Sequence, residues 1–269
     1  MLLFTNINMT KISIIGGGNL GQSIANGLLS RNYKPSNITI TRNKIELLAD
    51  LKTKGVTVTS DNIKAVKDSN IVIIAVKPYK IKDVLSQIDN HIDKSKILVS
   101  VVSDYSIAQI HQTLSSKPTI IRAMPNTASS VNESMTCLAT ENASEKDLKE
   151  VSTIFKTLGD TLLINEQLMD AATVLGACGI AYVLRFIRGI IQGGIEIGFD
   201  AQTATKIATQ TVRGATELLI KTGNHPEAEI DKVTTPKGCT IAGLNEMEHS
   251  GFSSALIKGI KTSFDNISK

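Results

Sequence analysis

A chain of 269 residues, 42% of them hydrophobic and 19 of them glycine, can bury a core as one large domain or as two modest ones. With 20% charged residues, 4% aromatics and no Trp, it is neither a disordered chain nor a binder that stacks bases on an aromatic platform. The net charge of +4 is scattered without a Lys/Arg run, which excludes a dedicated nucleic-acid stripe but suits anionic small molecules.

The opening residues carry no basic segment, and their apolar run is too short for a signal peptide. Residues 1–8 read as a flexible extension, with Met9 as an alternative start. Lys11 to Ile15 then forms a short apolar strand, followed by Gly16-Gly17-Gly18-Asn19-Leu20-Gly21. Leu20, Ile24 and Leu28 recur at helical spacing. Gly16-x-Gly18-x-x-Gly21 between a strand and a helix is a dinucleotide fingerprint. The first Gly makes the turn, the second lets backbone approach a pyrophosphate, and the third lets helix and strand pack closely.

Ile38 and Ile40 alternate in a second strand. An NAD site usually places an acid at its end, whereas Thr41-Arg42-Asn43-Lys44 offers two cations and no acid. Arg42 can pair with a 2′-phosphate that a carboxylate would repel. The expected cofactor is NADPH, with NADH as the alternative. Ile71 to Val76 is a continuous apolar run, as a strand covered on both faces requires, and Lys77-Pro78 ends it. Ligands of open α/β sheets bind at such carboxyl ends. Lys77 there either holds the cofactor or faces solvent.

Ile81, Val84, Leu85 and Ile88 mark a helix, Ile97 to Val102 another strand, and Ile107, Ile110 and Leu114 another helix. This alternation predicts a doubly wound, mostly parallel α/β sheet. Thr119–Ala123, Ser134–Thr140 and Thr161–Ile164 read as further strands. Between the last two, Ser144 and Asp147 open a helix that Gly159 ends.

No strand is predicted after Asp170. Residues 170–198 and 200–222 read as long helices with acidic N-caps, and a helix–turn–helix closes the chain. The expected domains are therefore 1–166, dinucleotide-binding, and 167–269, all-helical. The uncharged stretch Ala171–Leu184 is too short to span a bilayer and reads as a buried helix. Its glycines, Gly176, Gly179, Gly189, Gly193 and Gly194, each cost about 1 kcal/mol relative to Ala. Two readings fit: a loosely wound core helix, or a helix buried between subunits.

The three cysteines, Cys137, Cys178 and Cys239, lie far apart, so the chain reads as cytosolic and reduced. The four histidines, His91, His111, His225 and His249, show no metal-ligand spacing, and no metal is expected. Reducing a ketone needs a proton donor, yet residues 162–205 hold no Lys and no His. Tyr182, Arg185 and Arg188 remain there, and Tyr182 is equally a core aromatic. A protonated imine avoids the difficulty, because it is already an electrophile and hydride addition leaves a neutral amine. The loop Thr234–Thr240 before a helix is either a carboxylate site or an ordinary capped turn.

Ile15-Gly-Gly-Gly-Asn-Leu-Gly21, Val76-Lys-Pro78, Arg122-Ala-Met-Pro-Asn126-Thr127, Asp170-Ala-Ala-Thr-Val-Leu175, Gln210-Thr-x-x-Gly-Ala215 and Thr235-Pro-x-Gly-x-Thr240 follow one another in an order that resembles pyrroline-5-carboxylate reductase. The resemblance runs from Met9 to the C-terminus. It implies NAD(P)H-dependent reduction of 1-pyrroline-5-carboxylate to L-proline, the last step of proline synthesis. It also implies an N-terminal Rossmann domain and an all-α C-terminal dimerisation domain that interlocks with a partner's. The active site would lie at that interface in a cytoplasmic homodimer, with five dimers forming a decamer as an option, and neither nucleic acid nor membrane as a partner.

Carried over, Thr240 is the residue that approaches the imine nitrogen, and the backbone at Gly238 and Cys239 holds the substrate carboxylate. The cofactor would lie against Gly16, Gly17, Gly18, Asn19, Leu20, Arg42, Ala75, Val76, Lys77 and Pro78. Asn62 would stand at its adenosine side, and Met124 and Asn126 near the nicotinamide. The chain departs from the family at Gly176-Ala-Cys-Gly-Ile-Ala-Tyr182, usually Ser-Gly-Ser-Gly-Pro-Ala-Tyr, and at Thr235-Pro-Lys-Gly-Cys-Thr240, usually Ser-Pro-Gly-Gly-Thr-Thr. Ser103-Asp104 replaces the usual Ala-Gly. These changes bear on substrate choice. They leave a reductase of another imine or carbonyl, or a silent dinucleotide-binding paralogue, as alternatives.

Overall fold

A computed structural model describes residues 10–267. The expected extension at 1–8 lies outside them. Contacts divide the described chain after Ala177, so that Cys178–Ile267 forms a second compact unit.

The first unit is an eight-stranded sheet in the order β3-β2-β1-β4-β5-β6-β7-β8. Its strands are β1 (Ile12–Ile15), β2 (Ile38–Thr41), β3 (Thr57–Thr59), β4 (Ile71–Ile74), β5 (Ile97–Ser100), β6 (Thr119–Met124), β7 (Ser134–Thr140) and β8 (Gly159–Leu163). The first six are parallel, in the dinucleotide-binding order, with Ile12 opposite both Ile38 and Ile71. β7 runs antiparallel to β6 and parallel to β8. The connection from β6 to β7 is too short for a crossover helix, and a short link permits only the antiparallel direction.

Side chains alternate across a strand, so each central strand feeds two cores. Ile12, Ile14, Ile71, Ile73 and Val99 pack on one face with Ile24 and Leu28 of α1 (Asn19–Ser30) and with Val151, Ile154 and Phe155. Ile15, Val72, Ile74, Leu98 and Ile120 pack on the other with Ile81, Leu85 and Ile88, and with Ile107 and Ile110. Each fully buried Ile or Leu is worth about 1.5–3 kcal/mol, so this double burial is what selects the continuous apolar run of β4 and the mostly apolar β1 and β5, in which Ser13 and Ser100 are the buried exceptions.

The remaining helices of this unit are α2 (Ala49–Thr53), α3 (Asn62–Lys67), α4 (Ile81–Ile88), α5 (Ile107–Thr113), α6 (Glu145–Phe155) and α7 (Met169–Ala172). The Ser144 side chain caps α6 by accepting from the Asp147 N–H. A full capping box of Ser106 and Gln109 opens α5. Gly159 leaves α6 through φ +145°, and a Cβ there would stand 2.0 Å from the Ser134 carbonyl oxygen. Strand β3 and helices α2 and α3 are too short to show a hydrophobic period.

The second unit is helical: α8 (Gly179–Glu196), α9 (Ala201–Thr222), α10 (Pro226–Lys232), α11 (Cys239–His249) and α12 (Phe252–Ile267). Asp200 caps α9, its carboxylate accepting from the Gln202 and Thr203 N–H groups, both at 3.0 Å. Those bonds, led by Thr203, hold its pKa below the usual carboxylate range. Asp170, by contrast, is no cap. It sits inside α7, and Asn165 caps the 3-10 turn Glu166–Leu168 ahead of it. The predicted long helix is also not uniform, because a π-helical turn, Thr173–Cys178, joins α7 to α8.

The reading of this stretch as a helix buried within the chain is corrected. No residue of α8 is buried, and Val183, Leu184, Phe186 and Ile195 are exposed. Of Gly176, Gly189, Gly193 and Gly194, only Gly194 meets a neighbour, Ala204 of α9 at 3.2 Å, so intrachain packing does not explain the other three. By length and composition the whole helical run Glu166–Glu196 could cross a bilayer, unlike the shorter uncharged stretch. Its first part is nevertheless fixed in the sheet unit, where Met169 and Val174 are buried.

Candidate active site

The carboxyl ends of β1, β2, β4 and β5 open onto a cleft of about 1260 Å³ in the sheet unit. The glycine loop forms its floor. Gly16 has φ +113°, and a Cβ on it would lie 2.5 Å from the Ala75 carbonyl oxygen. A Cβ on Gly21 would lie 2.1 Å from the Gly16 carbonyl oxygen. Both positions are therefore closed by the protein itself. A Cβ on Gly18 would meet nothing within 4 Å. Its lack of a side chain serves no packing contact and leaves backbone bare toward the cleft. Gly18 is also the N-cap of α1, with no side-chain cap and no acidic residue in the first turn. The first N–H groups of that helix are thus left to an anion.

The loop is braced from β2. The Gly17 N–H donates to the Thr41 carbonyl at 2.6 Å, and the Gly16 N–H to Thr41 Oγ1 at 3.3 Å. Thr41 Oγ1 donates to Asn62 Oδ1 at 2.7 Å, and Asn62 Nδ2 donates to Gln87 Oε1 at 2.9 Å. Arg42 Nη1 donates to the Gly17 carbonyl at 2.7 Å, which anchors the half-buried guanidinium at the cleft wall. Lys44, Lys77 and Lys80 also line the cleft, against a single acid there, Asp83. This donor set fits a dinucleotide with a phosphorylated ribose: bare helix N–H groups for the pyrophosphate, and a guanidinium with nearby ammonium groups for an additional phosphate.

The other half of the cleft is lined by Val101, Val102, Ser103, Pro125, Asn126 and Ala177. Asn126 caps the turn Thr127–Val131, its Oδ1 accepting from the Ala128 N–H at 3.0 Å. Asp104, just past Ser103, has φ +58°, a left-handed conformation that glycine adopts more easily.

Gly16, Gly17, Gly18, Asn19, Leu20, Arg42, Asn62, Ala75, Val76, Lys77, Pro78 and Asn126 all line this one cleft. Lys77 is exposed at its rim. Met124 is not at the cleft surface and packs with Ala139 and Met169. Sequence reasoning missed Lys80, Asp83 and Gln87. They form the polar stripe of α4 and the turn before it, opposite Ile81, Leu85 and Ile88, at a spacing that reads as solvated surface.

Gly238, Cys239 and Thr240 belong to the helical unit. The Gly238 N–H donates to the Thr235 carbonyl at 2.9 Å and closes a turn over Pro236 and Lys237. A Cβ on Gly238 would stand 2.6 Å from Thr235 Oγ1 and 3.0 Å from its carbonyl oxygen, so a side chain there would displace the Thr235 hydroxyl. Lys237 has φ +61° at the turn position that favours glycine. Gly238 is the N-cap of α11 without a side-chain cap, Cys239 is exposed and Thr240 is half-buried in its first turn. Tyr182 is hydrogen-bonded to Ser263 at 2.6 Å. Among the described residues, no group of His, Cys, Asp and Glu is arranged to hold a metal ion.

Two family models match the chain: "Pyrroline-5-carboxylate reductase dimerisation" over residues 166–269 and "NADP oxidoreductase coenzyme F420-dependent" over residues 11–104. Pyrroline-5-carboxylate reductase 1 of Dictyostelium discoideum is 45% identical over 94% of this chain, which spans 48% of that protein's length. Pyrroline-5-carboxylate reductase 2 of the same organism is 42% identical, with 97% of this chain and 93% of the relative covered. Among solved structures, a pyrroline-5-carboxylate reductase from Coxiella burnetii is 27% identical with a TM-score of 0.89, covering 96% of this chain and 97% of that one. A Plasmodium falciparum pyrroline carboxylate reductase with NADP bound is 26% identical with a TM-score of 0.87, at 97% coverage of both chains.

Proposed function

The chain belongs to the pyrroline-5-carboxylate reductase family, and we propose from that premise that it reduces 1-pyrroline-5-carboxylate to L-proline with NADPH, the last step of proline synthesis. The observation that carries this reading is the end-to-end similarity to named reductases, on a chain whose glycine loop keeps Gly18 bare toward the cleft. When bound, NADPH supplies the hydride for the imine carbon.

The chain's own residues bind and orient. The N–H groups at the start of α1, with Gly16, Gly17, Gly18, Asn19 and Leu20, hold the pyrophosphate. Arg42 takes the 2′-phosphate. Asn62 fixes Thr41 and stands at the adenosine side, while Ala75, Val76, Lys77 and Pro78 flank the ribose. Val101, Val102 and Pro125 exclude water from the nicotinamide half, near Met124 and Asn126. The backbone at Gly238 and Cys239 holds the substrate carboxylate, with the Cys239 N–H as donor because the Gly238 N–H is given to the Thr235 carbonyl, and Lys237 adds a cation beside them. Thr240 offers its hydroxyl to the ring nitrogen. Because the protonated imine is already electrophilic, no Lys or His is needed near it, which agrees with their absence from residues 162–205.

The working unit in this reading is a cytoplasmic homodimer, with five dimers able to form a decamer. The dimerisation match and the exposed apolar face of α8 support association. The functional domains are 1–166 and 167–269.

Oxidation of NADPH followed by absorbance, with 1-pyrroline-5-carboxylate as substrate and proline identified as product, tests the reading. The expected outcome is turnover that Thr240→Ala lowers about tenfold or more while NADPH affinity is nearly unchanged, as for loss of a contact made to the reacting centre. Cofactor binding without turnover would overturn the reaction. Loss of cofactor binding in Thr240→Ala would overturn the placement of Thr240.

A further inference from the structure

Asn126 lies on the cleft, yet its polar side-chain atoms are engaged by the protein. Its Oδ1 accepts from the Ala128 N–H at 3.0 Å, and its Nδ2 donates to the Gly176 carbonyl at 3.1 Å. Its own N–H donates to Ser134 Oγ at 3.0 Å. The Gly176 bond reaches into the π-helical turn Thr173–Cys178, and the next residue, Ala177, lines the same cleft.

That turn is held unevenly. Before it, Glu166 Oε1 accepts from the Ile107 N–H at 2.7 Å and from Arg122 Nη1 at 3.1 Å, and Met169 and Val174 are buried. At Gly176 there is no side chain, and the space a Cβ would occupy is empty within 4 Å. No side-chain contact holds this residue, and the bond from Asn126 ties its carbonyl to the β6–β7 connection. A π turn is an uncommon geometry that needs such local support.

We propose that Asn126 is a positioning residue, resting on the NADPH reading above: it holds the π turn so that Ala177 forms the wall of the nicotinamide half, and it does not itself ligate the cofactor. The amide is the group this requires, since one end must accept and the other donate. Asn126→Asp keeps the acceptor for Ala128 and places an oxygen against the Gly176 carbonyl. Asn126→Ser keeps an N-cap but is too short to reach Gly176.

Two measurements on the full chain test this without any substrate: amide hydrogen exchange over residues 173–178 and 128–131, and NADPH dissociation constants by fluorescence. In both variants, exchange over 173–178 is expected to rise about tenfold, as for loss of one hydrogen bond, while 128–131 and NADPH affinity stay within about twofold. In turnover, kcat falls and the KM for NADPH does not. Unchanged exchange over 173–178 would overturn the proposal. So would an NADPH dissociation constant that rises about tenfold, whether alone, as for a direct ligand, or together with exchange, as for a turn that itself grips the cofactor. A wild-type chain that fails to turn over 1-pyrroline-5-carboxylate would count against the reductase reading alone, because the exchange and affinity measurements still decide the role of Asn126.

Discussion

At the scale of single residues, two side chains depart from what their positions ordinarily favour, and each makes a prediction. Arg42 stands where an acid would select the unphosphorylated ribose. Its guanidinium is half-buried and anchored on the Gly17 carbonyl, so its remaining nitrogens are pre-oriented rather than free to roam. Arg42→Asp is expected to weaken NADPH binding by at least about tenfold while NADH binding changes much less. Titration with both cofactors checks it, and equal losses would sink the assignment. Lys237 carries φ +61° in the closed turn before α11. A side chain in the left-handed region costs roughly 1 kcal/mol, part of which glycine returns as lost backbone entropy. Lys237→Gly is therefore expected to leave stability equal or to raise it by about 0.5 kcal/mol in chemical denaturation. If Lys237 also binds the substrate carboxylate, the same variant raises the KM for the imine, and the two effects separate cleanly.

At the scale of elements, the strand–loop–helix unit of β1 and α1 divides its glycines by purpose. Gly16 and Gly21 are closed by backbone atoms 2.5 Å and 2.1 Å from their would-be Cβ positions, while Gly18 faces open space. Gly21→Ala is expected to cost several kcal/mol of stability, roughly 2–4, since backbone rather than a flexible side-chain end must move. Gly18→Ala is expected to change stability by less than about 1 kcal/mol and to reduce NADPH affinity instead. Thermal unfolding with and without NADPH distinguishes the two. A Gly18→Ala chain that binds NADPH normally would show that the cofactor does not approach this loop. The fingerprint motif was legible because its spacing is local, and that spacing already gives its three glycines separate roles; the packed structure adds the atoms that close Gly16 and Gly21 and the open space at Gly18.

At the scale of the whole molecule, the sheet unit and the helical unit solve burial differently. The sheet sandwiches its central strands between two helical layers of the same chain. The helical unit leaves Val183, Leu184, Phe186, Ile207, Leu218, Ile220 and Ile257 exposed. Apolar surface on that scale marks an interface in a soluble protein, and the dimerisation match over residues 166–269 gives it a protein partner. The chain is expected to sediment as a dimer or larger, with little response to salt because the contact is apolar. Leu184→Glu is expected to shift it toward monomer and to lower activity, with the sheet unit still folded by its NADPH affinity. A wild-type chain that sediments as a monomer at micromolar concentration would refute the interface.

The sequence by itself determined the α/β alternation, the dinucleotide loop, the cationic end of β2, and the caps at Ser144 and Asp200. Each depends on residues within a turn or a strand of one another, so local periodicity and capping chemistry suffice. The tertiary structure alone decided the short strand β3, the π turn at Thr173–Cys178, the Asn126–Gly176 bond and the recruitment of the α4 polar stripe to the cleft. It also decided that α8 is not buried by its own chain. In each case the deciding partner lies far away in sequence: β2 pairs β3, Asn126 reaches across fifty residues to Gly176, and the helical face awaits atoms the chain does not itself supply. A hydrophobic pattern states that a surface must be covered; only three-dimensional packing states by what.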